Sequence, residues 1–251
     1  MRASDVLAAG TTPLTAPAFP AGSHRFLDRE YLNIVYRTDP GAFRAAVPEP
    51  LAVGDPLVRF EVMHMGDVDG FGPYTECGQA LAVSFDGEQG EYLHGMWLDN
   101  APAIFAGREQ SAYPKSFGTP RLRVDDGALV GTLRLGELPV ATATMAYKNA
   151  PLDPDVAAAQ IGVPTWMVKL VPGPGRPSLA RLVRTRITDL TVKQAWSGPA
   201  RLQLFEHVLA PLADLPVREI VSASHVLTDL TLAPAVTVHD YLSDSPASEE
   251  S

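Results

Sequence analysis

A chain of 251 residues with 46% hydrophobic content is long enough to bury a sizeable core, in the size range where barrels and sandwiches remain one domain. Its formal net charge of -9 excludes the clustered basic surface on which nucleic-acid binding rests. The lone cysteine, Cys77, excludes an internal disulfide or a zinc cage, and no apolar run reaches the roughly 18 to 20 residues of a membrane-spanning helix.

The opening stretch MRASDVLAAGTTPLTAPAFPAG lacks the continuous apolar core of a signal peptide. We therefore expect a soluble, cytoplasmic protein with neither nucleic acid nor membrane as partner. We expect a single domain over residues 1–251, with loose termini at 1–11 and 243–251, where composition is small, polar or Pro-rich.

In chain order, alternating or β-branched runs predict strands at Tyr31–Thr38, Leu57–Met65, Thr75–Phe85, Glu91–Leu98, Ala128–Leu135 and Leu138–Tyr147. Further strands are predicted at Trp166–Val171, Leu179–Val192, Arg201–Phe205, Glu219–Thr231 and Val236–Tyr241. Helical signals are short: Asp39-Pro40 before GAFRAAV, Asn100 before APAIFAGRE, and Pro154 before DVAAAQI. Many strands in close succession, with few helices to serve as crossovers, predict a mostly β (α+β) fold. Its sheet is expected to be antiparallel, barrel-like or a sandwich, with peripheral helices.

The six histidines show no HxH or HExxH spacing, so no metal site is expected. Ser111 lacks the glycines of a nucleophile elbow. Cys77 follows Glu76, but strand alternation puts Glu76, Gly78 and Ala80 on one face and Cys77, Gln79 and Leu81 on the other. Cys77 reads as a small buried hydrophobe.

Lysine is more informative, because the chain has only Lys115, Lys148, Lys169 and Lys193. A lysine is ordinarily a solvated surface charge. Lys115 instead sits in SAYPKSF, between apolar neighbours and behind a proline that fixes the local backbone. Apolar surroundings are the condition under which an amine is desolvated and becomes a nucleophile.

The stretches REYLNIVYRTDP, VRFEVM, YTECGQALAVSF, YLHGMWLDNAPAIFAGRE, SAYPK, VATATMAYK, ITDLTVKQAWSGPARLQLF and DLPVREIVSASHVLTDLTL resemble acetoacetate decarboxylases in order and spacing. The resemblance covers roughly residues 12–241. It implies a β-rich, barrel-like subunit assembled into homo-oligomers and acting on a small keto-acid without metal or other cofactor. Lys115 would form the Schiff base, surrounded by Arg29, Glu61 and Glu76. Arg29 would orient the substrate carboxylate, Glu76 would position Arg29, and Glu61 would strain the carboxylate or carry a proton. Taken singly, Glu61 also has a plain reading as the partner of Arg59 on its own strand face. Tyr113, Ser116, Leu27 and Met96 are expected around the substrate.

The implied reaction is decarboxylation of acetoacetate to acetone and carbon dioxide. Two other readings stay open: a Schiff-base aldolase-dehydratase acting on pyruvate or related keto-acids, and a non-catalytic small-molecule binding protein. Three positions depart from the family pattern. Ser116 stands where a second lysine usually follows the reactive one, Gly95 replaces a bulky residue, and Cys77 replaces serine. This family is itself the reference example of a lysine activated by desolvation or by a neighbouring cation. If residues 114–116 are extended, side chains 115 and 116 point to opposite sides, and burial is the activating influence to expect.

Overall fold

The computed structural model describes residues 1–243. The chain runs α1 (Ala3–Ala8), β1 (Arg25–Arg37), α2 (Pro40–Ala46), β2 (Ala52–Val68), β3 (Tyr74–Phe85), β4 (Glu88–Leu98) and α3 (Ala101–Ala106). A π-helical turn at Gly107–Ser111 leads into β5 (Lys115–Phe117), β6 (Thr119–Asp125), β7 (Ala128–Leu135), β8 (Leu138–Ala146) and β9 (Ala150–Pro151). After α4 (Pro154–Ile161) come β10 (Thr165–Val171), β11 (Leu179–Thr185), β12 (Ile187–Ser197), β13 (Ala200–Leu204), β14 (Glu219–Leu232) and β15 (Val236–Asp240).

The three anticipated helices start where their caps lie. Asp39 accepts hydrogen bonds from the Gly41 and Ala42 amides, Asn100 from Ala103, and Asp153 from Asp155, each followed by proline in the first turn. Within the terminus expected to be loose, 1–11, lies α1, none of whose residues is buried. Of the C-terminal segment expected to be loose, residues 244–251 lie outside the described residues.

The strands form a large sheet in the order β15-β11-β10-β4-β3-β2-β1-β14-β12-β9, with β5 on β4, and a smaller sheet β13-β8-β7-β6. The structure corrects the expected wholly antiparallel arrangement at β4·β10 and β4·β5, which are parallel. Parallel neighbours need a crossover, and α3 with the π turn supplies it between β4 and β5. The run expected as one strand at Leu179–Val192 is broken at Arg186. β11 lies near one end of the large sheet and β12 near the other, so Arg186 alone carries the chain across the seam. The two ends of the sheet must therefore approach each other, although no strand pairing among the described residues closes them.

Strand alternation gives the large sheet two different faces. Leu32, Ile34 and Tyr36 of β1, Val58, Phe60 and Val62 of β2, and Cys77 and Leu81 of β3 pack with Leu129, Leu133, Val140 and Met145 of the small sheet. A Cβ on Gly131 would come within 2.8 Å of Val62 Cγ2. The layers are thus in contact, and enlarging that residue would cost about 1–3 kcal/mol of overpacking. The opposite face is the concave one. It carries Tyr31, Met63, Ala80, Leu93, Met96, Ile161 and Val226, and with them the charged residues described next.

Candidate active site

Three strands deliver charged side chains to the concave face with the period of two that a pleat dictates. β1 supplies Arg29, β2 supplies Arg59 and Glu61, and β3 supplies Glu76. Arg29 shares this face with Tyr31 by ordinary alternation, and a bulge brings Phe26 to it as well. The β1·β14 register shifts between Phe26 and Arg29, and Asp28 has a φ of 51°. Phe26 and Arg29, three residues apart, consequently line the same cavity, which a regular strand would forbid. The bulge is held by Asp28, whose amide donates to Asp229 at 2.9 Å and whose carboxylate pairs with Lys193 at 2.7 Å.

β4 has a similar register shift opposite Gln79 and Ala80, and it turns Leu93 and Met96 to the same side.

Lys115 opens β5, paired with Met96. Its approach is tightly tied: Ala112 and Tyr113 both donate to the Gly107 carbonyl, at 2.9 and 3.0 Å, and Arg108 donates to the Lys115 carbonyl at 2.9 Å. Ala112 adopts a φ of 95°, a conformation that costs an L-residue energy and marks a constrained turn. A Cβ on Gly107 would lie 2.6 Å from Lys115 Cδ and 2.9 Å from Cε, so the missing side chain leaves the groove that the lysine occupies.

The Lys115 side chain, 9% exposed, places Nζ 2.6 Å from Glu76 Oε1 and 5.2 Å from the centre of the Tyr113 ring. Burial pushes the Tyr113 phenol up to about 12, so it stays neutral and available as a donor. Glu61 meets Arg59 at 3.2 Å, and Arg59 reaches on to Glu91 through Nε at 3.0 Å and through Nη2.

Arg29 differs from the other cations. It is 8% exposed, its Nη2 donates to the Met63 sulfur at 2.8 Å, and its guanidinium stacks on Tyr31 and Phe26 at 4.8 and 5.4 Å. Its Nε donates to nothing among the described residues. Thioether sulfur is a weak acceptor, so a buried cation is left with donors to spare. Burial works against the Arg29 charge, but the fields of Tyr31, Glu76 and Glu61 more than offset it and hold its pKa above the ordinary value.

Arg29, Arg59 and Lys115 thus balance Glu61, Glu76 and Glu91, which keeps six largely buried charges tolerable. The cavity, lined by all of these but Glu91, has a volume of about 60 Å³. One water needs about 10–15 Å³, so the space suits a molecule of a few heavy atoms. Lys115, Tyr113, Phe26 and Leu232 also line an adjoining cavity of about 130 Å³ that continues past Phe71 and Tyr74. The amine therefore stands where two cavities meet.

A sequence model of the family described as Acetoacetate decarboxylase (ADC) matches residues 11–242. The chain belongs to this family. It is 62% identical to the acetoacetate decarboxylase of Streptomyces nogalater, over 96% of this chain and 100% of the relative. It is 59% identical to that of Clostridium beijerinckii (strain ATCC 51743 / NCIMB 8052), over 97% and 99% of the two chains. A solved structure described as "Structural Studies of Acetoacetate Decarboxylase" superposes with a TM-score of 0.94 at 56% identity, covering 96% of this chain and 100% of the other.

The acetoacetate decarboxylase fold brings Lys115, Arg29, Glu61, Glu76, Tyr113 and Met96 to one cavity. Two residues expected beside the substrate do not line it. Ser116 is exposed, facing away from Lys115 on an extended strand, and Leu27 is half-buried in the β1 bulge. The expected link from Glu76 to Arg29 is also replaced: the hydrogen bond of Glu76 goes to Lys115. Sequence reasoning considered Arg59 only as a partner for Glu61 and overlooked Glu91 and Gly107. The two-residue spacing of Arg59 and Glu61 was a usable signal for Arg59, but only tertiary contact shows the other two.

Proposed function

We propose that this chain decarboxylates acetoacetate to acetone and carbon dioxide through a Schiff base on Lys115. The observation that carries this reading is the pairing within one small cavity of a buried amine with a buried guanidinium that has no carboxylate partner among the described residues. A β-keto acid presents the complementary pair of groups, a ketone and a carboxylate.

Glu76 takes a proton from Lys115 across their 2.6 Å contact, and the neutral amine attacks the ketone carbon. Water leaves with the proton returned by Glu76, giving a protonated imine. The carboxylate, held by the free donors of Arg29 through charge-assisted bonds, sits next to this electron sink. Its bond to the α-carbon breaks, carbon dioxide departs, and the electron pair passes into an enamine. Protonation at the α-carbon and hydrolysis of the imine release acetone and the amine. The imine itself supplies the electron sink, so this chemistry calls for no metal or organic cofactor. Glu61, anchored by Arg59, adds negative charge beside the carboxylate and opposes its ground state.

The barrel-like description belongs to the same reading and is supported by the two passages across the seam, at Arg186 and between Leu232 and Val236. Assembly into a homo-oligomer is part of it as well, as is a cytoplasmic setting, which the single, buried thiol of Cys77 fits. The catalytic test is borohydride reduction in the presence of acetoacetate. A stable adduct on Lys115, absent in Lys115→Ala, together with carbon dioxide release, is the expected result. Pyruvate-dependent condensation without carbon dioxide release would instead assign aldol chemistry, and no adduct would leave a binding protein.

A further inference from the structure

Behind Arg59 the concave face continues into a third cavity, of about 280 Å³. Arg59 lines both this rear space and the reaction cavity. Its guanidinium bonds Glu61, which lines the front, and Glu91, which lines the rear. α4 completes the partition, with Ile161 turned to the front and Gln160 to the rear.

The two approaches to the amine differ in chemistry. The front continues past Phe26, Phe71, Tyr74 and Ala103 to Ser23 and Gln110, whereas the rear sets Asn33, Gln89, Glu91, Ser222 and Ser224 among Val35, Ala82 and Val163. Asn33 is 5% exposed, and its Oδ1 accepts no hydrogen bond from the described residues. An amide oxygen enclosed in this wall without a donor is costly to bury.

The reaction creates a need that such a space meets. Acetoacetate and one proton give acetone and carbon dioxide, so every turnover draws a proton from solvent to the enamine carbon. The water expelled when the imine forms is required again when the C=N bond is hydrolysed to ketone and amine. A cavity of about 60 Å³ filled by substrate holds no reserve of either.

We propose that the rear cavity is the solvent port of the reaction chamber, passing water and protons beside the Arg59–Glu91 pair while the keto-acid enters by the apolar front. This inference rests on the Schiff-base reading above.

Ser222→Trp on β14 and Gln160→Trp on α4 place an indole at the mouth of the rear cavity from two separate elements. Both positions are exposed, and surface substitutions of this kind rarely unfold a protein. The steps up to carbon dioxide loss set kcat/KM, while enamine protonation and imine hydrolysis come later and enter kcat alone. Blocking the port should therefore lower kcat and KM together by about fivefold or more, leaving kcat/KM unchanged.

The fraction of Lys115 trapped by borohydride at saturating acetoacetate should rise. Deuterium exchange from D2O into acetone, which runs through the same imine and enamine, should slow by the factor seen in kcat. Wild-type kcat and exchange in both variants would overturn the port, as would a fall in kcat/KM without greater trapping. Absence of trapping in the unmodified protein would overturn the Schiff-base reading instead.

Discussion

Glu76 and Lys115, 39 residues apart in the chain, meet at 2.6 Å in a site where both side chains are under 10% exposed. The contact joins the third strand of the large sheet to the short strand that follows α3, and it gives the amine a proton acceptor of its own. Glu76→Gln keeps the size and a hydrogen-bond acceptor but removes the base. The rate of imine formation, followed by borohydride trapping, should fall by about 10²–10⁴-fold, with Lys115→Ala as the zero. Trapping at the wild-type rate would remove Glu76 from the proton transfer.

Arg29 is expected to act on the carboxylate and not on the ketone. Its replacement by methionine removes hydrogen bonds to a charged group worth about 1.5–3 kcal/mol, and kcat/KM for acetoacetate should drop by about 10- to 100-fold. Acetone, which has no carboxylate, should still form its imine with Lys115 at nearly the original rate. An equal loss for both ligands would make Arg29 a general support of the lysine.

Gly107→Ala tests the groove beside Lys115. The backbone there is helical, with φ -59° and ψ -44°, so alanine by itself would favour the local conformation by about 0.5–1 kcal/mol. Its Cβ, however, would fall 2.6 Å from Lys115 Cδ. Thermal stability should change little while trapping of Lys115 falls by at least about tenfold, since an ångström of misplacement costs about 10²-fold in a positioned reaction.

The three departures from the family pattern all lie away from the reaction. Ser116 is exposed, Cys77 is fully buried against the small sheet, and a Cβ on Gly95 would strike the Trp97 ring at 2.6 Å. Ser116→Lys restores the usual pair and should leave kcat and the pH profile of imine formation within about twofold, as for surface changes remote from a site. A displaced pH profile would show that a cation at 116 reaches the amine.

Glu30 offers a check on electrostatics outside the site. Its hydrogen bond with His225, 2.7 Å long, is the main reason its carboxyl titrates below the ordinary 4.5. A lowered carboxyl pKa contributes stability that is complete above the unfolded value and is lost as pH falls through the folded one. Glu30→Gln should therefore flatten the decline of melting temperature below pH 4.5, the ordinary value for this group, relative to the parent. An unchanged acid limb would assign the decline elsewhere.

Much of this architecture can be read from residue order. Strand periodicity places β3, β4, β7 and β8 close to their limits but starts β1 at Tyr31 and β2 at Leu57, well inside their true starts at Arg25 and Ala52, and capping residues start α2, α3 and α4 where expected. Alternation on β3 correctly separates Glu76 from Cys77, because a pleat sends neighbouring side chains to opposite faces whatever surrounds it. The apolar, proline-led setting marks Lys115 as the unusual lysine for the same local reason. The short strand carrying Lys115 is not legible, since three residues hold too little pattern and β5 exists only because β4 offers it an edge. Nor is the interruption at Arg186, where the chain passes from β11 to β12 at distant places in the sheet.

By itself, then, the sequence determined the strand-rich class and the family, and singled out Lys115 among four lysines, because these follow from local spacing and from motifs matched in order. Only the tertiary structure decided that Glu76 serves Lys115 and not Arg29, that Ser116 faces outward, and that Arg59 divides two cavities. Those relations depend on contacts between strands far apart in the chain. Pairwise geometry of that kind is set by how whole sheets curl and pack, which no local pattern specifies.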